Sequence, residues 1–197
     1  MRLFRSSAIA LAMLAALPTI APLACAVPDK ASISPFDADR MDGLGVARTR
    51  GLAEALRAES AADRELVSLL FAPGIAPQAP VPDGNYRCRT IKLGGLLPLT
   101  AYSYFDCVVA QGGTKIEKLT GSQRFSGDLL ATDAGGHFYW GALHYGDEDP
   151  RPYQEEGDRS QVGCLYKVDG KPVRYRLELP FPRFESTHDV IELVPAR

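Results

Sequence analysis

Gly84-Asn85-Tyr86-Arg87-Cys88-Arg89-Thr90-Ile91-Lys92-Leu93, closed by Gly94-Gly95, is the stretch that decides the fold. Tyr86, Cys88 and Thr90 alternate with Arg87 and Arg89, the period-two pattern of a strand with one face turned inward. A second run, Phe105-Asp106-Cys107-Val108-Val109, lies beyond an apolar loop centred near Leu97 and Pro98. Folding the chain about that centre gives a hairpin in which Cys88 faces Cys107, Tyr86 faces Val109 and Thr90 faces Phe105. On the opposite face the same register sets Arg89 against Asp106. A Cys88–Cys107 disulfide is therefore expected. Closing a loop of about 20 residues in this way stabilises a fold by about 3 kcal/mol in the chain-entropy model.

Downstream, the β-branched and aromatic runs continue: Lys115 to Thr120, Ser122 to Leu130, His137 to Tyr145, Gln161 to Val168, Pro172 to Leu179 and Thr187 to Val194. Turn signals separate them, among them Gly112-Gly113, Gly135-Gly136 and Asp169-Gly170. With Gly84 to Leu93 and Tyr102 to Ala110 they make about eight strands with no helical pattern between them. That spacing predicts a mainly β domain over residues 84–197, an antiparallel barrel of about eight strands, with a sandwich as the other closed solution.

Upstream, Ser34-Pro35-Phe36-Asp37 has the form of a helix start: a capping hydroxyl, a proline at the first helical position and an acid in the first turn. Ser60-Ala61-Ala62-Asp63 opens a second start, leading into Leu66, Leu69 and Leu70. Residues 36–71 therefore read as a pair of amphipathic helices, with Gly43, Gly45 and Gly51 weakening the first. The proline-rich residues 72–83 read as a linker. Phe138-Tyr139-Trp140 puts rings on both faces of one strand, so its outer face needs a cover, which the helix pair supplies. Leu96, Leu97 and Leu99 form an apolar loop that closes the barrel mouth, meets the helices or touches a partner.

The first 26 residues have the pattern of an export signal: Arg2 and Arg5, the apolar run Ala8 to Leu17, then Ala24-Cys25-Ala26. Cleavage after Ala26 would discard Cys25 and leave residues 27–35 as a polar entry segment. Lipidation at Cys25, giving a lipid-anchored envelope protein, is the alternative. A periplasmic location follows, one that permits disulfides. Without the leader the chain holds 20 basic and 24 acidic residues, so nothing in its charge attracts nucleic acid, and no later run is long enough to span a membrane.

Chemistry-bearing residues are sparse. Cys164 alternates with Val162, Tyr166 and Val168 and reads as a buried inert thiol, a catalytic nucleophile being the sharper alternative. His137, His144 and His188 have no metal-ligand spacing. The acidic stretch from Asp147 to Asp158 reads as an exposed loop partly neutralised by Arg151 and Arg159. Ser122, Arg124, Ser126 and Asp128 share one face of a strand; should that face line the barrel, Arg124 becomes an anion-binding candidate. Glu185, Ser186 and Asp189 are placed to pair with Arg87 or Arg124. Arg87, Arg89, Arg124, Glu185 and Asp189 are thus the candidate ligand-binding residues. No catalytic residue, metal site or cofactor is assigned, and no nucleophile elbow or dinucleotide fingerprint is present.

Tyr86 to Gly94, Tyr104-Phe105-x-Cys107, Glu117 to Arg124 with Ser126-Gly127, Pro180-x-Pro182, Glu185-Ser186 and Asp189-Val190-x-Glu192-Leu193 together resemble the family called domain of unknown function 4893. The resemblance spans most of the chain after Pro82 and implies an exported protein with no assigned activity. Gly84-Asn85-Tyr86 is also similar to the strand entry of lipocalin-like barrels, with tyrosine in place of tryptophan, a likeness that bears on fold more than function. The function expected is that of a periplasmic non-enzymatic module binding a small or lipidic ligand or an envelope protein partner. The alternative is a small periplasmic hydrolase or other enzyme using polar groups near Arg124 and Glu185.

Overall fold

The computed structural model describes residues 25–196 except 30, 78, 134, 155 and 156. The described residues form three helices, α1 (Pro35–Asp42), α2 (Leu44–Ala55) and α3 (Ala61–Phe71), ahead of nine strands. These are β1 (Gly84–Leu93), β2 (Leu99–Ala101), β3 (Phe105–Ala110), β4 (Lys115–Lys118), β5 (Gln123–Ala131), β6 (His137–Tyr145), β7 (Ser160–Val168), β8 (Arg174–Pro180) and β9 (His188–Pro195). Each strand from β3 to β9 pairs antiparallel with the next, and β9 returns to pair with β1 from Tyr86↔Pro195 to Leu93↔His188. Eight strands thus close into a barrel, with β2 added at the end of β1. Closure leaves the barrel wall without an unpaired edge.

The hairpin register differs from the sequence expectation by two residues. Cys88 pairs with Phe105 and Tyr86 with Cys107, so the cysteines are diagonal neighbours on one face and not directly opposed. Arg87, not Arg89, lies across from Asp106, with 2.8 Å between Nη1 and Oδ1. The physical reason is β2: Leu93↔Leu99 closes a tighter hairpin than one centred on Leu97 and Pro98, and residues 102–104 then leave the ladder before β3 begins. A slip of two keeps every side chain on its own face. The Cys88–Cys107 disulfide consequently forms inside the barrel, with its Cα atoms 5.9 Å apart.

Two further expectations are corrected. Residues 35–71 hold three helices and not a pair, because the chain breaks at Gly43, where a Cβ would sit 2.8 Å from the Phe181 ring. The caps are as read: the Ser34 and Ser60 hydroxyls accept from the backbone N–H groups of Asp37 and Asp63. Cys164 is not a free thiol. It is bonded to Cys25, which is buried on the outer wall beside Met41, Leu44 and Phe138. The expected leader up to Ala24 lies outside the described residues. Cleavage after Ala26 would remove Cys25, so such a product would lack this bridge.

The interior and the outer wall are both packed. Inward positions such as Tyr86, Val109, Ile116, Leu129, Tyr139 and Leu177 fill the barrel, and Val81 of the linker joins them at the end where β1 begins. The helices and the 25–34 segment cover the outer faces of β1 and β6–β9, where Phe138 and Trp140 stack at 5.6 Å. Leu99 packs into this layer against α2 and α3, whereas Leu96 and Leu97 remain exposed. No helix among the described residues is long and apolar enough to cross a membrane.

Candidate functional site

Apart from the Asp37–Arg40 pair of α1, charged side chains among the described residues are buried in three places. The first is structural. On the outer wall beneath α2 and α3, Glu178 is fully buried and faces Arg48 Nε at 2.6 Å, Arg176 Nε at 2.7 Å and His188 Nε2 at 3.1 Å. Arg176 also donates to the Leu70 carbonyl of α3 and lies 4.2 Å from the Phe71 ring centroid. Burial opposes ionisation of Glu178, yet the His188 hydrogen bond and the charges of Arg176 and Arg48 outweigh it and hold its carboxyl well below the usual range. Arg176 Nε meets Glu178 Oε1 as an ion pair but is poorly aligned for a hydrogen bond. Arg48 Nη2 and His188 Nδ1 also have no hydrogen-bond partner among the described residues. The cluster joins helix to barrel, with Arg48 of α2, Arg176 and Glu178 of β8 and His188 of β9.

The second cluster is also structural. Glu192, fully buried, accepts from Arg89 Nε at 2.5 Å, from the Tyr104 hydroxyl at 2.8 Å and from Arg174. It holds β1, β8 and β9 together on their outward face. Arg87 lies outward too, paired with Asp106. Two of the five candidate residues, Arg87 and Arg89, therefore stand on the outer wall and do not line the barrel's cavity.

The third cluster is open. At the end of the barrel where β1, β4, β6 and β8 finish lies a cavity of about 260 Å³. Phe125, Leu143, Leu179 and Ile191 give it an apolar floor and wall, and Gln123, Gln161 and Lys118 line it from other inward strand positions. A neighbouring cavity of about 360 Å³ shares Gln123, Leu143, Gln161 and Leu179 and runs outward to Tyr145 and Phe184. Exposed apolar side chains ring this mouth: Leu96, Leu97 and Tyr102 between β1 and β3, Leu119 after β4, Tyr145 at the end of β6 and Phe184 between β8 and β9. At the opposite end Val173 is the exposed large apolar residue.

Arg124, Glu185 and Asp189 do come together here. Arg124 springs from the outward face of β5, reaches the rim and donates its Nε to the Gly121 carbonyl at 3.0 Å. Glu185 and Asp189 do not pair with Arg87 or Arg124 as expected. Their partner is Lys92, whose Nζ lies 3.2 Å from Glu185 and 3.6 Å from Asp189. Burial lowers the Lys92 pKa, but Asp189 and then Glu185 more than offset it and the net shift is upward. Asp189 also accepts from the Ser186 hydroxyl at 2.5 Å, although burial keeps its own pKa raised.

Lys118 is the residue that the sequence reading missed. It occupies the last position of β4, across from Cys107, and is only 7 % exposed. Its Nζ lies 4.1 Å from the Phe105 ring centroid, and no carboxylate pairs with it among the described residues. Burial, then repulsion from Arg124, lowers its pKa. The only advance signal was that it follows Ile116 by two and so shares an inward face, a weak cue in a four-residue strand.

Among the described residues no cluster of His, Cys, Asp and Glu is arranged to hold a metal. Of the acidic loop, Glu148 meets Arg159 at 2.6 Å and Arg151 at 3.2 Å. Compared with known proteins, residues 30–193 match the family model described as Domain of unknown function (DUF4893). Neither the curated proteins nor the solved structures contain a match to the chain.

Proposed function

We propose, from the premise that this chain belongs to the family of the domain of unknown function (DUF4893), that it is a non-enzymatic module that binds a small ligand with an apolar body at the open end of its barrel. The observation that carries this reading is the pair of joined cavities at the mouth, which combine an apolar wall of Phe125, Leu143, Leu179 and Ile191 with a lining rich in polar and charged groups, among them Lys92, Lys118 and Arg124 in the first and Arg40, Arg159 and Arg183 in the second. A concave surface that joins an apolar wall to oriented polar groups is suited to a small molecule with both an apolar and a polar part. The exposed side chains of the mouth loops extend that surface outward, so an apolar ligand meets compatible chains before it enters. The two disulfides support an exported protein working in an oxidising compartment such as the periplasm. The hydrolase alternative draws less support, because the carboxylates near Arg124 are already held by Lys92 and Ser186.

The test uses the neutral fluorophore N-phenyl-1-naphthylamine, whose emission rises in apolar surroundings. The purified protein should enhance the emission saturably. Leu143→Trp, which fills the cavity wall, should abolish the enhancement while leaving the melting temperature within about 3 °C of native, as expected of a substitution on a half-open wall. No enhancement by the native protein, or equal enhancement by the folded variant, would refute the reading.

A further inference from the structure

We infer that Lys118 is the anchor for a carboxylate on the ligand that occupies the mouth, so that this site selects small monocarboxylic acids with an apolar tail. The inference rests on the ligand-binding reading above and deepens it.

Three observations carry it. Lys118 is more than nine-tenths buried, lines the cavity and has no carboxylate partner among the described residues. The Lys118 ammonium loses part of its hydration at the cavity wall, and the Phe105 ring supplies only the weaker cation–π part of the compensation. Lys92 shows the contrast: on a neighbouring wall of the same cavity it is satisfied by Glu185 and Asp189.

The second observation is the charge of the lining. In the first cavity Lys92, Lys118 and Arg124 stand against Glu185 and Asp189, and the joined cavity adds Arg40, Arg159 and Arg183 against Asp158, so the mouth carries an excess of cations that favours an anionic head. In the first cavity, where Lys118 stands, that excess is one charge, which a single carboxylate neutralises. Arg124 commits only its Nε to the Gly121 carbonyl, so its terminal N–H groups add to the positive field at the head.

The third is position. Lys118 stands on the β3–β4–β5 side of the mouth, adjacent to Phe125, while the apolar wall continues through Leu143 and Leu179 toward Phe184. A head bound at Lys118 therefore directs its tail along that wall. Burial and Arg124 both weaken the hold of Lys118 on its proton, and an arriving carboxylate would reverse the shift.

Isothermal titration calorimetry with octanoate, octan-1-ol and octyl phosphate tests the idea on the native protein, Lys118→Gln and Lys118→Arg. Octanoate should bind native protein more tightly than octan-1-ol does. Lys118→Gln should weaken octanoate about ten- to hundredfold, the scale of one hydrogen bond to a charged group. It should change octan-1-ol less than threefold, and Lys118→Arg should restore most of the octanoate affinity. Unchanged octanoate binding by folded Lys118→Gln would overturn the anchor while leaving the ligand-binding reading intact. Tighter binding of octyl phosphate than of octanoate would overturn the carboxylate assignment. Failure of all three compounds would remove the ligand-binding reading, and the anchor with it. Should the variants not fold, reductive methylation of the native protein read by peptide mass spectrometry replaces them. Octanoate, and not octan-1-ol, should slow the labelling of Lys118, and equal labelling rates would refute the anchor.

Discussion

Replacing Glu178 by glutamine tests how the helices are held to the barrel. The substitution keeps the side-chain volume and removes the one negative charge that Arg48, Arg176 and His188 share. Deleting one partner of a buried ion pair costs about 3–5 kcal/mol, because the charge left behind stays out of water. The lower end applies here, since the Arg48 side chain is 20 % exposed and can turn to solvent, whereas Arg176 at 5 % cannot. About 3 kcal/mol lowers the melting temperature of a domain this size by about 6–12 °C. The pH dependence gives a second reading. The Glu178 carboxyl is held below its ordinary 4.5, so its stabilisation is complete above that value and is lost as the pH falls through its folded value of about 2. The gap between native protein and Glu178→Gln, measured by calorimetry, should therefore be widest near pH 7 and narrow steadily below about pH 4.5. Hydrogen exchange should place the loosening in α2 and α3, which supply Arg48 and the Leu70 carbonyl. A gap under about 2 °C at pH 7, or one that persists unchanged at low pH, would refute the reasoning.

Three other outcomes are expected. If Cys25 is retained and bridged, the protein from cells takes up no alkylating reagent before reduction and four equivalents after it. Cleavage after Ala26 would expose one thiol at Cys164, and lipidation would add an acylated mass at Cys25, so intact mass separates the three. Gly51→Ala should destabilise, since its Cβ would sit 2.8 Å from the Cβ of His188; Gly45→Ala, with nothing within 4 Å, should stabilise by about 0.5 kcal/mol. Calorimetry on the pair reads the difference in sign. Arg87→Ala should cost less than about 1 kcal/mol and leave octanoate affinity unchanged, because Arg87 and Asp106 are both about half exposed and lie outside the cavity.

The fold was legible where side-chain parity decides it. Tyr86, Cys88 and Cys107 share a face under any even shift of register, so the disulfide could be read although the pairing was off by two. The shift itself was not legible, because residues 102–104 leave the ladder without a glycine or proline to announce it. Gly43 and Gly51 read as helix weakeners because propensity was the only available scale. In the fold they mark close approach, Gly43 to Phe181 and Gly51 to β9. The Cys25–Cys164 bridge joins positions 139 apart across the proposed cleavage point, and local pattern carries no information over that span. At the mouth, Arg124, Glu185 and Asp189 could be picked out as polar residues on apolar strands. Their true partner Lys92 was hidden, since a charged residue beside Leu93 at a strand end looks like ordinary surface.

The openness of the mouth follows from the grading of inward side chains along the barrel axis. Near the start of β1 the inward set is Tyr86, Val109, Ile116, Leu129 and Tyr175, which packs to closure with Val81. Toward the other end the same strands turn inward Lys92, Lys118, Gln123, Gln161 and Asp189. Side chains with hydrogen-bonding demands cannot collapse on one another as aliphatic ones do, because closer packing strips each polar group of water without returning a partner. The Lys92–Asp189 pair, directly cross-strand, is met internally, and Gln161 accepts from the Tyr139 hydroxyl at 3.3 Å. Lys118 on the far side has no such carboxylate among the described residues, and drawing it inward against Leu143 or Leu179 would increase its desolvation. The cavity is thus a consequence of where the sequence changes its inward residues from apolar to polar. Substituting Lys118 by an aliphatic residue should remove the electrostatic obstacle to filling it, so Lys118→Leu should melt higher than native and take up less N-phenyl-1-naphthylamine. A lower melting temperature with unchanged uptake would show that the mouth is held open by its loops and not by this charge.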